Sequence, residues 1–71
     1  MEVKIGIQHA PRELIVDVES THEEIEKLVA EAVKGGVLSL SDGKGRRVVV
    51  PGDRIAYVEL GHPAAGTVGF R

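Results

Sequence analysis

Ser20-Thr21-His22-Glu23-Glu24-Ile25-Glu26-Lys27-Leu28-Val29-Ala30-Glu31-Ala32-Val33-Lys34-Gly35-Gly36 carries the one helical period in a chain that otherwise alternates. Here Ile25, Leu28, Val29 and Ala32 recur at i, i+3, i+4 and i+7, which places them on one stripe of a helix. Ser20 with Glu23, or Thr21 with Glu24, has the spacing at which hydroxyl and carboxylate each satisfy a free backbone amide at a helix start. Glu23, Glu24 and Glu26 stand near the positive end of the helix dipole. Gly35-Gly36 ends the run, because glycine takes the left-handed C-terminal conformation without steric cost. The spacing predicts a helix over about 22–34 with Ile25, Leu28, Val29 and Ala32 buried. Glu23–Lys27 and Glu31–Lys34 are its expected exposed ion pairs.

On both sides of this helix the period changes to two. Val3, Ile5 and Ile7 alternate with Lys4 and Gly6, the pattern of a half-buried strand. Pro11 interrupts at Gln8–Arg12, and alternation resumes with Leu14, Val16 and Val18 against Glu13, Asp17 and Glu19, Ile15 being the exception. After the helix, Val37–Ser41 turns Leu38 and Leu40 inward, Asp42-Gly43-Lys44-Gly45 is a hairpin turn, and Arg46–Val50 returns. Pro51-Gly52-Asp53 turns again into Arg54–Leu60, and Gly61-His62-Pro63 stops the last strand. The order is ββαβββ. It predicts a single α+β domain over residues 1–71, one helix packed on a mostly antiparallel sheet, with a small open barrel capped by the helix as the alternative. Residues 61–71 read as a tail, whose Val68 and Phe70 share a face at strand spacing and are expected to dock along the sheet or its edge.

Composition narrows the function classes. The 71 residues contain no cysteine, which removes disulfides, thiolate metal sites and cysteine nucleophiles. Net charge is −2, so no global positive field draws the chain to nucleic acid or membrane. Tyr57 and Phe70 are its only tyrosine and phenylalanine and tryptophan is absent, too little aromatic surface for stacking on bases. There is neither a basic, apolar leader nor a run near the ~20 apolar residues of a membrane span. The expectation is a cytoplasmic protein without cofactor or membrane partner.

The familiar chemistries are weak. Asp42-Gly43-Lys44-Gly45 lacks the serine or threonine and the helix that a phosphate-binding P-loop needs, so it reads as a turn. His9, His22 and His62 fall in a turn, at the helix start and in the tail, without paired metal-ligand spacing; His22 is expected to be solvated. Ser20 reads as a cap, and Ser39 and Ser41 as strand residues beside a turn, rather than as nucleophiles. So short a chain is expected to lack the ~300 Å³ or more of a small-molecule pocket. No catalytic, metal or cofactor residue is assigned, and the chain is not expected to be an enzyme.

Two surfaces remain. Lys44, Arg46, Arg47 and Arg54 are candidate phosphate contacts, since antiparallel neighbours can bring Arg46, Arg47 and Arg54 toward one end or edge of the sheet. The bland reading has Arg46 and Arg47 guarding an edge strand and pairing with Asp42, Asp53 or Glu59. If Leu14, Val16, Leu38, Leu40, Val48, Val50, Ala56 and Val58 face the helix, alternation sends Ile15, Val37, Val49, Ile55 and Tyr57 outward. Ile15, Val49, Ile55 and Tyr57 are therefore the candidate interface, an apolar centre rimmed by Lys4, Arg47 and Glu59. The expected partner is the protein itself or another protein. A nucleic-acid-associated role through Arg46, Arg47 and Arg54 stands second.

Met1-Glu2-Val3-Lys4-Ile5-Gly6-Ile7, Pro11-Arg12-Glu13-Leu14, the acidic helix start, Gly45-Arg46-Arg47, Arg54-Ile55-Ala56-Tyr57-Val58-Glu59 and Val68-Gly69-Phe70 together resemble a family of small actinobacterial proteins catalogued as domain of unknown function 3107. The resemblance spans essentially the whole chain. It implies a short, stand-alone, non-secreted actinobacterial protein, and it carries over no activity, ligand or catalytic residue.

Overall fold

The structure, a computed structural model, describes residues 1–62. The expected docking of Val68 and Phe70 lies outside the described residues. Strand β1 (Glu2–Ile7) is the centre of a three-stranded antiparallel sheet, flanked by β2 (Glu13–Asp17) and by β5 (Ile55–Leu60). Strands β3 (Val37–Ser41) and β4 (Arg47–Pro51) form a separate antiparallel hairpin, and the helix α1 (His22–Ala32) packs against β3. The ββαβββ order and the α+β class are those the periodicity predicts.

The sheet, however, is two sheets. A 3-10 turn at Gly52–Arg54 redirects the chain after β4, and β5 crosses to β1 instead of pairing with its sequence neighbour. The architecture is consequently open: two antiparallel sheets and one helix, which do not close into a barrel.

Alternation along each strand builds the core between the layers. Val3 and Ile5 of β1, Val16 of β2 with Val18 just beyond it, Leu38 and Leu40 of β3 and Val50 of β4 are buried with Ile25 and Ala32 of the helix. The valine, leucine and isoleucine side chains among them contribute about 1.5–3 kcal/mol each when fully buried. Met1, Ile7, Val29, Val48, Ile55, Val58 and Leu60 pack around them.

The helix begins on Thr21 rather than Ser20. Thr21 Oγ1 accepts from the Glu24 amide at 3.2 Å, and Glu24 Oε1 accepts from the Thr21 amide at 2.9 Å, which is the reciprocal capping box. It ends at Ala32, two residues short of the expected limit. There the Ala32 carbonyl accepts from both Gly35 and Gly36 at 3.1 and 2.9 Å, and Gly35 adopts a φ of +125°. Lys34 thus lies beyond the helix, and neither expected helix ion pair forms among the described residues. The buried stripe is also narrower than expected: Ile25 and Ala32 are enclosed and Val29 flanks them, whereas Leu28, expected to be buried, is 44% exposed. The line from Ile25 to Ala32 rests on the core, and Leu28 falls on the flank that no strand covers.

The β3–β4 hairpin is closed by Asp42. Its Oδ1 accepts from the amides of Lys44 and Arg46 at 2.9 and 2.8 Å, and its Oδ2 from Arg46 Nε at 3.1 Å. These bonds, led by the Arg46 amide, hold the carboxyl below its ordinary range.

Candidate interaction surfaces

The outer face of the three-stranded sheet follows from its register. Glu13, Gly6 and Tyr57 form one row across β2, β1 and β5, and Ile15, Lys4 and Glu59 form the next. Glycine leaves the centre of the first row empty. The Tyr57 ring fills it, so closely that a Cβ at residue 6 would fall on ring carbons, and its hydroxyl donates to the Glu13 carboxylate. That bond, with the nearby negative charges of Glu13 and Glu59, raises the phenol above its ordinary titration range.

The candidate interface Ile15, Val49, Ile55 and Tyr57 is not one patch. Ile15 and Tyr57 share the outer face just described. Val49 lies on the other sheet, beside Val37 and Pro51 on the hairpin's exposed side. Ile55 turns inward. A bulge shifts the β1–β5 register between Gly6 and Ile7, so Ile55 pairs with Ile7 and packs half-buried against the core. The same extra residue leaves Ala56 exposed, where strict alternation places it inside. Leu14, also expected inside, is 39% exposed at the sheet edge. Glu2, Glu13, Asp17 and Glu59, against Lys4 and the N-terminal ammonium that pairs with Asp17, make the outer face acidic rather than apolar.

The basic residues are likewise divided. Lys44, Arg46 and Arg47 cluster at the turn end of β4, and Arg54 follows its far end, about 13 Å of strand away. Arg54 does not converge with Arg46 and Arg47. Arg46 makes the ion pair with Asp42, and its Nη2 donates to the Ile15 carbonyl at 3.4 Å. In an antiparallel ladder alternate residues turn their backbone groups away from the partner. The Val18 amide bonds the Met1 carbonyl, so Ile15 belongs to the set that β1 leaves unbonded, and Arg46 covers part of that edge.

The opposite edge is uncovered among the described residues. The Gly61 amide donates to the Glu2 carbonyl at 2.7 Å, so Glu59 and Gly61 bond toward β1 while Val58 and Leu60 turn their amides and carbonyls outward. No backbone group of another described element meets them. Between this edge and α1 runs a groove of about 220 Å³ lined by Ile25, Glu26, Val29, Ala30, Val58 and Leu60. Nothing in the strand pattern alone marks it, since it depends on which strand ends the sheet.

A cleft of about 450 Å³, larger than the chain length suggests, lies at the end of β5 among Glu2, Lys4, His22, Glu59, Leu60, Gly61 and His62. His22 is half-buried there instead of solvated, and its Nε2 donates to the Gly61 carbonyl at 2.7 Å, tying the helix start to the end of β5. No cluster of three metal-ligating side chains occurs among the described residues. No helix among them is long and apolar enough to cross a membrane.

A comparison with curated proteins finds no match. A family model matches residues 1–71, in agreement with the likeness of the opening strand, the acidic helix start and the Arg54–Glu59 run, and the chain belongs to the family described as protein of unknown function (DUF3107).

Proposed function

We propose that this protein is a non-catalytic interaction module that receives an extended segment of another protein along β5. The single observation that carries the reading is the edge at Val58 and Leu60, unpaired among the described residues and running beside an apolar groove. An added strand would take main-chain hydrogen bonds from that edge and place alternate side chains in the groove, which is how strand-adding recognition domains obtain affinity and specificity together. The divided basic residues, with Arg46 engaged by Asp42 and Ile15, favour protein over nucleic acid as the partner. An accessory role in the cytoplasm belongs to the same proposal, and the cysteine-free composition suits a reducing compartment.

Val58→Pro tests it. Proline removes an amide that bonds nothing in the ladder, and edge strands tolerate it where the N–H faces outward. Affinity capture from native lysate should lose its specific protein with Val58→Pro and keep it with Val49→Lys. The reverse pattern would move the contact to the hairpin, and salt-sensitive recovery of nucleic acid by both would replace the reading with the phosphate-binding one.

A further inference from the structure

We infer that the segment received along β5 alternates apolar with basic residues. The inference rests on the strand-edge reading above and adds the partner's chemistry. A strand laid beside β5 continues its pleat, so one set of its side chains falls in line with Val58 and Leu60 and the other in line with Tyr57 and Glu59. The first set meets Ile25, Val29, Val58 and Leu60, the apolar part of the groove lining. At about 220 Å³ the groove is below the ~300 Å³ usual for whole small ligands, and it suits side chains projecting from a backbone held at the edge.

The second set meets carboxylates. Glu59 stands on β5 itself, and the outer face behind it carries Glu2, Glu13 and Asp17, opposed by Lys4 and by the N-terminal ammonium, which pairs with Asp17 at 3.3 Å. The helix adds Glu26 on the groove side, beside the first set, so both faces of the edge carry a negative charge. Charge complementarity of this kind selects a basic partner and penalises an acidic one. It also counts against a second copy of this chain. Two antiparallel β5 edges would bring both Glu59 carboxylates, and the two acidic outer faces, onto one side of a joined sheet.

The test uses the full chain with three labelled peptides of equal length: alternating Val-Lys, alternating Val-Glu, and Val and Lys in separate blocks. Anisotropy should show alternating Val-Lys binding about ten-fold more tightly than either other peptide, with slowed amide exchange at Val58 and Leu60. Glu26→Lys with Glu59→Lys, both at exposed positions, should reverse the preference toward Val-Glu. Equal binding of Val-Lys and Val-Glu with the same protection would overturn the basic chemistry and leave the strand-edge reading standing. Binding of Val-Lys without protection at Val58 and Leu60, or no binding by any peptide, would overturn both. A dimer already protected at these amides without peptide would give the edge to a second copy. Binding that emerges only in Val68→Ser/Phe70→Ser would give the groove to the chain's own C-terminal segment. Either result would overturn the inference.

Discussion

Tyr57 covers Gly6, its partner across the β1–β5 ladder, and with its hydroxyl donating to the Glu13 carboxylate one side chain spans all three strands of the sheet. The glycine is required by the ring, not by its own backbone angles. Gly6→Ala should therefore displace Tyr57 and cost about 1–3 kcal/mol, the range for overpacking. Tyr57 is the only tyrosine and tryptophan is absent, so intrinsic fluorescence reports the displacement and thermal melting the cost.

The same contact predicts a pH dependence. Bonding to Glu13 raises the Tyr57 phenol above its ordinary value in the folded chain. A group whose folded value is raised holds its proton more tightly folded than unfolded, so its stabilisation is complete below the unfolded value and is lost as pH rises through the folded one. Phenolate absorbance should therefore appear at higher pH in the wild type than in Glu13→Gln, and the melting temperatures of the two should draw together in strong alkali.

Gly52 meets the end of the helix. Its amide donates to the Gly36 carbonyl at 2.9 Å, and a Cβ there would fall on the Ala32 carbonyl, which is backbone and cannot swing aside. Gly52→Ala should cost about 1–3 kcal/mol or more in chemical denaturation. Gly43→Ala, where a Cβ would meet only the Glu19 carboxylate at 3.9 Å, should change stability far less.

Ile25 and Leu28 belong to one apolar stripe in the sequence and to different environments in the fold. Ile25→Ala should cost about 2–5 kcal/mol, and Leu28→Ala should stay within about 1 kcal/mol. Equal losses in urea melts would mean that the helix is turned about its axis from the orientation described.

Period-two runs made most of the core legible, because Val3, Ile5, Leu38 and Leu40 sit in regular ladders where alternation equals burial. Thr21 and Glu24 likewise announced the helix start through local chemistry alone. The bulge at Gly6 and Ile7 was not legible: it has no pattern of its own, yet it reverses the face of Ile55 and exposes Ala56. Nor was the crossing of β5 to β1, which splits the sheet, leaves the Val58 and Leu60 edge unpaired among the described residues and brings His22 to Gly61. Both depend on contacts between residues far apart in the chain, and single-strand periodicity does not register them.

Amide hydrogen exchange along β5 in the free protein tests the open edge most directly. Glu59 and Gly61, which bond toward β1, should be protected, while Val58 and Leu60 should exchange nearly as fast as unstructured peptide. Protection of all four amides in the free monomer would mean that the β5 edge is already occupied and has no room for an added strand.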